Sequence, residues 1–475
     1  MPDTVLTTVQ AVPAGGFTPP AAGGGRGGLP AAYSDLGSFC RAVATVKPAA
    51  DSSITVEIWM PERGWNRKLL ALGGQGWAGT IGYGGMRDAL RRGYAVAATD
   101  SGHKGATATF ALEHPEGVID FAFRSAHEMA RKAKAMVEAF YGKPAGHAYW
   151  DGCSTGGRMA LTEAQRFPDD FDGIIAGAPA NFSSHQAAQM IAVALAAHRD
   201  ESSLIPPAKL RLMHEAVLRA CDAADGVNDG VIEDPSRCRF DPKGLECAQA
   251  DADDCLTRSQ VAAARAIYAP VINPRTGAMI FPGFAPGSEL GWTLLAGPRP
   301  LEFPQEFYRY FVFRDPDWDY RTLDLDIDVR RAEQAYGGIM DAVDPDLKAF
   351  FKRGGKLLQY HGWSDQAVAP SNSIDYFKRV AAASGGERTV RASYRLFMVP
   401  GMGHCTGGDG TSTFDALAAL ERWVEDGRPP DSIPASRVVG GIVVRTRPLC
   451  PYPEVAVYKG KGSTDVAENF VCKVV

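Results

Sequence analysis

Residues 152–156 read Gly152-Cys153-Ser154-Thr155-Gly156, a G-x-S-x-G arrangement that could carry a nucleophilic hydroxyl. A serine attacks a carbonyl only when a base takes its proton and fixed donors hold the oxyanion that forms. On a tight strand-to-helix turn the hydroxyl is pushed out over the sheet edge, and small flanking residues let helix and strand approach. The acid and the histidine that serve such a serine follow it in the chain. Of nine histidines His404 is the last, and it stands after the strand-like run 394–399 and the turn Pro400-Gly401-Met402-Gly403. Asp365 follows the run 356–360 across the spacer His361-Gly362-Trp363-Ser364, whereas Asp375 is the weaker choice because it falls within the next predicted helix. Singly, an incidental serine in a glycine turn, a capping or surface histidine and an N-capping aspartate would each account for these residues. Jointly and in this order they point to Ser154 as nucleophile, His404 as base and Asp365 as the acid that orients it.

Cysteines flank two of the three: Cys153 precedes the serine and Cys405 follows the histidine. If Ser154 and His404 share a hydrogen bond, their neighbours must lie within the roughly 4.4–6.8 Å between Cα atoms that a disulfide needs. Such a bridge would tie nucleophile to base and close a loop of 252 residues, constraining the unfolded chain by about 5 kcal/mol in the chain-entropy model. Cys221 and Cys238, Cys247 and Cys255, and Cys450 and Cys472 are short-range couples in loop-like sequence, and none is a C-x-x-C pair. That usage suits disulfides and an oxidising compartment, hence a secreted or periplasmic protein.

The elements that must position these groups are legible in part. Residues 54–60, 68–72, 94–99, 147–151, 172–176, 356–360 and 394–399 read as strands. Residues 86–92 and 158–167 read as helices, and apolar positions 129, 130, 133, 136, 137 and 140 recur at helical spacing. Strand alternating with helix implies a parallel sheet. After about Asn181 the rhythm gives way to Ala-rich helix, acidic glycine loops, paired cysteines and an aromatic stretch from Trp292 to Tyr320. The expected organisation is a flexible Gly/Pro/Ala segment over 1–30, an α/β-hydrolase catalytic domain over 31–180 and 347–475, and a lid domain over 181–346.

A chain of 475 residues with 50 Lys+Arg against 55 Asp+Glu and a net charge of −5 has no basic surface for nucleic acid. No apolar run is long enough to span a membrane. The start carries no basic-then-apolar signal peptide.

The Cys153-Ser154, Asp365 and His404-Cys405 pairing resembles the CS-D-HC arrangement of the tannase and feruloyl esterase family, related to the mono(hydroxyethyl) terephthalate hydrolases. The likeness runs from about Leu29 to the C-terminus and includes Gly152 to Arg158, Phe171-Asp172-Gly173 and Ala176 to Ala180. It implies an α/β-hydrolase core, a lid inserted after the strand near Ala176, and hydrolysis of esters of aromatic acids. It also implies an oxyanion hole from the backbone N–H groups of Gly76 and Thr155, which suits the need for one donor after the nucleophile and one from an early strand-to-helix loop.

In the insertion, Asp222, Asp225 and Asp229 with Gly226 and Gly230 offer hard oxygens on a turning loop. Alone this would be read as a solvated acidic turn, but the resemblance implies a structural calcium site completed by the carbonyls of Val227 and Val231. No organic cofactor is expected. The resemblance also suits the other three disulfides. It leaves Cys40 without a partner, since its counterpart in relatives pairs upstream, which here would be before Met1.

The aromatic stretch could clamp a planar acyl group, with one or two members touching substrate and the rest lid core. Thr155 stands where the terephthalate-ester hydrolases have glutamate, and no dedicated arginine for a terminal carboxylate is evident. Hydroxycinnamate esters, free or attached to plant polysaccharide or polyphenol, are therefore expected first, with gallate and terephthalate monoesters as alternatives. A silent relative that only binds an aromatic ligand is the non-enzymatic alternative.

Overall fold

In the computed structural model, which describes residues 3–20 and 33–475, nine strands form one mixed sheet. They are β1 (Thr4–Val12), β2 (Phe39–Val46), β3 (Ile54–Pro61), β4 (Lys68–Leu72), β5 (Ala95–Thr99), β6 (His147–Cys153), β7 (Gly173–Gly177), β8 (Lys356–Gly362) and β9 (Tyr394–Val399). Their spatial order is β1-β2-β3-β5-β4-β6-β7-β8-β9. The first three run antiparallel to their neighbours, and from β5 onward every pairing is parallel. Every residue of β5 and β7 is buried, as befits parallel strands covered on both faces.

The longer helices of the first half are α1 (Tyr83–Arg91), α2 (Ser125–Tyr141) and α3 (Thr155–Arg166). The longer ones of the insertion are α4 (Ser183–Ala197), α5 (Pro207–Cys221) and α6 (Arg258–Tyr268), and the last two of that length are α7 (Ser371–Ala383) and α8 (Ala416–Asp426). Met129, Ala133 and Val137 of α2, Ala160 of α3 and Phe377 of α7 pack on one face of the sheet. Met86 and Leu90 of α1 and Leu420 and Trp423 of α8 pack on the other. This is the α/β-hydrolase arrangement.

Between β7 and β8 the chain leaves the sheet and builds a separate core from Ile191, Met213, Ile267, Phe281, Trp292 and Phe311. Trp77, Phe110 and Phe121, from loops and short turns beside the sheet, join this same cluster. The inserted layer thus packs directly over the carboxyl ends of the central strands. Most of the aromatic stretch is core: Trp292, Phe307, Tyr308, Phe311, Trp318 and Tyr320 are all buried.

The expectation of a flexible segment over residues 1–30 is corrected for the part that is described, residues 3–20. Thr4–Val12 is an edge strand paired along its length with β2, and Asp3 forms an ion pair of 2.6 Å with Lys132 of α2. Residues 21–30 lie outside the described residues. Helix α3 also begins earlier than the periodicity indicated, at Thr155, directly after the serine. Among the described residues no helix is long and apolar enough to cross a membrane.

Candidate active site

Ser154 sits between β6 and α3 with φ +63° and ψ −120°, a left-handed backbone that costs a non-glycine residue on the order of 1–3 kcal/mol. Its surroundings hold it there. The Ser154 N–H donates to Gly177 O at 3.0 Å, while its carbonyl accepts from Ala180 N at 3.1 Å and Arg158 N at 2.9 Å. The turn is too tight for side chains beside it: a Cβ on Gly152 would stand 2.5 Å from Gly156 O. The hydroxyl is thereby aimed off the sheet edge at the N-terminus of α3.

Asp365 and His404 come from the loops after β8 and β9. The two loops are sewn together by Trp363 N–H to Val399 O at 2.9 Å and Ser364 N–H to Met402 O at 2.9 Å. Gly362 permits this, since a Cβ there would fall 2.3 Å from Met402 O. His404 Nδ1 lies 2.7 Å from Asp365 Oδ2, and the His404 N–H donates to Gln366 Oε1 at 3.3 Å. Asp365 Oδ1 accepts the N–H groups of Ala367 at 2.7 Å and Val368 at 2.8 Å. A second imidazole, His361, approaches Asp365 Oδ2 at 3.1 Å.

Burial alone would raise the Asp365 carboxyl, but the His404 charge and the hydrogen bonds from His361 and His404 outweigh it and hold the group well below the usual carboxylate range. Burial works against a charged His404, yet the Asp365 carboxylate beside it lifts its pKa above the ordinary histidine value. Asp365 is thus held in its charged form, and beside it the cation of His404 is favoured.

The serine reaches this pair through the cysteines. Cys153 and Cys405 form a disulfide with Cα atoms 6.0 Å apart, so the residue before Ser154 is joined to the residue after His404. The Asp365–His404 contact is closed, whereas a Ser154–His404 contact is not among the hydrogen bonds of the described residues. Catalytic contacts of this kind commonly tighten only when substrate is bound.

Two donors are free for an oxyanion. Neither the Gly76 nor the Thr155 N–H donates to any described residue, and the Thr155 hydroxyl donates to Gly76 O at 3.2 Å, holding the two positions together. Beside Thr155 opens a cavity lined by Trp77, Phe303, Phe307, Met340, Gln186 and Arg158. Trp77 and Phe303 stack with centroids 4.6 Å apart at 24°, and Trp77 Nε1 donates to Phe303 O at 3.1 Å. Of the aromatic stretch, Phe303 and Phe307 reach this cavity. Trp77, Gln186 and His361 were not singled out in the sequence. Trp77 adjoins Gly76, which was the one signal that could have raised it.

The other cysteine couples also form disulfides: Cys221 with Cys238, Cys247 with Cys255 and Cys450 with Cys472. Cys40 is buried and unbridged.

On the acidic loop of the insertion, Asp222 accepts Asp229 N at 3.1 Å and Gly230 N at 2.8 Å, Asp225 accepts Val227 N at 2.9 Å, and Asp229 accepts Val231 N at 3.2 Å. The carbonyls of Val227 and Val231 accept no hydrogen bond among the described residues. Burial, with Asp229 and Asp222 adding to it, raises the Asp225 carboxyl. Arg447 and, at 3.4 Å, Arg445 balance part of the charge at Asp229. Two unengaged carbonyls beside mutually repelling carboxylates fit a hard cation. Among the described residues, however, the group whose ligand atoms already lie within 4.8 Å of one another is His127, Glu163 and Asp170, not this loop.

The sequence matches the family model described as tannase and feruloyl esterase over residues 40–473. It is 39% identical to an uncharacterized esterase of Xanthomonas campestris pv. campestris, across 99% of this chain and 89% of that protein. It is 33% identical to a probable feruloyl esterase B-2 of Aspergillus terreus, across 92% and 86%. The crystal structure of feruloyl esterase B from Aspergillus oryzae superposes with a TM-score of 0.92 at 30% identity, covering 100% of this chain and 97% of that one.

Proposed function

The chain belongs to the tannase and feruloyl esterase family, and from that premise we propose that it is a serine carboxylic ester hydrolase acting on hydroxycinnamate esters through Ser154, His404 and Asp365. The observation that carries this reading is the disulfide joining the neighbours of nucleophile and base, with Asp365 bonded to His404. As the Ser154 hydroxyl attacks the ester carbonyl, His404 takes its proton and Asp365 stabilises the imidazolium. The N–H groups of Gly76 and Thr155 hold the oxyanion, a contribution of about 3–4 kcal/mol per donor in such sites. His404 returns its proton to the departing alcohol, leaving an acyl-enzyme, and then activates water to release the acid.

The mainly carbon-lined slot between Trp77, Phe303 and Phe307 favours a flat aromatic acyl group. Arg158, the one cation on that slot, is engaged: its guanidinium donates to Ala122 O at 2.6 Å and Phe121 O at 3.1 Å. Two of its five N–H groups are thus committed to backbone carbonyls, which supports ranking terephthalate monoesters behind hydroxycinnamates. Gallate asks for partners to three ring hydroxyls, and the slot offers few polar groups. The alcohol could be a plant polysaccharide or polyphenol. A hard divalent ion, calcium by its donor chemistry, would brace the lid through Asp222, Asp225, Asp229 and the carbonyls of Val227 and Val231, with no part in bond breaking. Four disulfides support an oxidising compartment, secreted or periplasmic.

The test is a kcat/KM comparison of methyl ferulate, methyl gallate and a terephthalate monoester with wild type and Ser154→Ala. Methyl ferulate should lead, and Ser154→Ala should lose about 10^5–10^6-fold in kcat. Retained turnover in Ser154→Ala overturns the mechanism, and a gallate lead overturns the substrate assignment.

A further inference from the structure

The spacer between β8 and the acid contains a second buried imidazole that the triad does not require. His361 is fully buried and its two ring nitrogens face different chemistry. Nε2 faces two acceptors, Asp365 Oδ2 at 3.1 Å and Val368 O at 3.0 Å. Nδ1 faces the Ser373 hydroxyl at 2.7 Å. Two acceptors at Nε2 demand a proton there, because a bare nitrogen lone pair against a carboxylate and a carbonyl is repulsive.

The state of Nδ1 is set further down the chain of contacts. Gln359 Nε2 donates to Ser373 Oγ at 2.6 Å, and Gln359 Oε1 accepts the Tyr394 hydroxyl. With its lone pair engaged by Gln359, Ser373 has one proton to give, and Nδ1 is where it points. The whole line then runs in one direction: Tyr394 to Gln359, Gln359 to Ser373, Ser373 to His361, and His361 to Asp365. Each group donates once toward the acid. Gln359, Ser373 and Tyr394 are all fully buried, so water does not compete with this order.

From this geometry, and resting on the triad reading above, we propose that His361 is a positioning residue: a neutral Nε2–H donor that fixes the Asp365 carboxylate, its tautomer set by Ser373, Gln359 and Tyr394. Neutrality is what makes the arrangement useful. A cationic His361 would neutralise Asp365 and weaken its hold on the His404 imidazolium, whereas a neutral donor steadies the anion and leaves its charge for His404. The cationic form would need Nδ1–H donating to the second lone pair of Ser373, which leaves the buried hydroxyl proton with no acceptor among the described residues. The titratable groups facing the carboxylate are His404 and His361. Tyr394 stands at the far end, where burial keeps its phenol protonated, well above its ordinary value.

A neutral donor stabilises a bare carboxylate more than one already paired with an imidazolium. Removing it therefore favours the charged form of His404 and moves the acid limb of kcat/KM upward. The experiment uses the folded full chain with methyl ferulate. His361→Leu should lose about 100-fold, mainly in kcat with KM little changed, and shift the acid limb up by about half a pH unit. His361→Gln, which can still extend an N–H to Asp365, should recover most of that loss. In wild type labelled with 15N-histidine, His361 should show a protonated Nε2 and an unprotonated Nδ1 near neutral pH, and Ser373→Ala should relax that preference.

A folded His361→Leu with kcat within about twofold of wild type and an unmoved limb overturns the proposal. So does a protonated Nδ1 in wild type near neutral pH, which settles the matter even if His361→Leu does not fold. The two readings fail separately: residual turnover in Ser154→Ala sinks the triad, while the tautomer measurement needs no activity.

Discussion

Removing the disulfide between Cys153 and Cys405 should cost stability and turnover together, whereas removing a remote disulfide should cost stability alone. The bridge spans 252 residues, which in the chain-entropy model constrains the unfolded chain by about 5.5 kcal/mol at 25 °C. The Cys221–Cys238 bridge in the insertion spans 17, worth about 3 kcal/mol by the same relation. With an unfolding entropy of about 2.1 cal/mol/K per residue over this length, these correspond to losses of about 5 °C and 3 °C in Tm. The difference in turnover should be far larger. Ser154 and Cys405 both hold left-handed backbones, with φ +63° and +67°, and the bridge pins one strained turn to the other. Without it each turn can relax, and a displacement near 1 Å between nucleophile and base costs about 100-fold. The assay is Cys153→Ala/Cys405→Ala beside Cys221→Ala/Cys238→Ala, each measured by thermal unfolding and by kcat on methyl ferulate well below Tm. If the first variant keeps kcat within about threefold while losing its 5 °C, the bridge is a staple and the positional argument is wrong.

The remaining expectations concern charge, shape and metal. Because Asp365 lifts His404 above its ordinary value of about 6.5, and only the neutral imidazole is a base, kcat/KM should rise with pH through a midpoint above 6.5. In Asp365→Asn the residual activity should have its midpoint below 6.5, since burial is then unopposed; a pH titration of both proteins checks it. Trp77→Ala should lower kcat/KM about tenfold for methyl ferulate and less than about twofold for an acetyl ester, as loss of one stacking partner predicts; equal losses would place Trp77 outside the acyl slot. Chelation with EDTA should lower Tm and leave kcat at low temperature unchanged, with calcium restoring the Tm. A loss of kcat at 25 °C would contradict a bracing role.

The parts of this site that could be read from sequence share one property: their signal is local or is echoed by a second local signal. The strained serine turn announces itself by glycines on both sides, and the distant histidine is marked by a cysteine that answers the one beside the serine. Trp77 and His361 carry no such mark. Each becomes interpretable only when another segment, Phe303 in one case and Ser373 in the other, is brought against it by the fold. β1 was missed for a different reason. Val5, Leu6 and Val9 are exposed, so this edge strand lacks the alternation that a half-buried strand shows, and its order comes from backbone pairing with β2. The insertion was legible as an interruption of the β/α rhythm, but the aromatic stretch could not be divided into core and cavity, because both uses select the same residue types.

Asp365, the acid of the proposed triad, faces two demands that conflict. A fully buried carboxylate needs donors to remain ionised, yet every positive charge placed near it weakens its pull on His404. Here the conflict is resolved by dipoles: two backbone N–H groups on Oδ1 and, in the arrangement proposed above, the neutral N–H of His361 on Oδ2. Among the described residues neither lysine nor arginine pairs with Asp365, whose side-chain partners are His361 and His404. A guanidinium in the place of His361 would hold the anion more firmly, but it would also repel the imidazolium that forms during catalysis and lower the basicity of His404. Replacing His361 with a cation should therefore be worse for turnover than replacing it with Gln, although the cation is the better partner for an isolated carboxylate. The raised pKa of His404 comes from the charge that Asp365 keeps, and a neutral donor reduces that pull less than a cation in its place would.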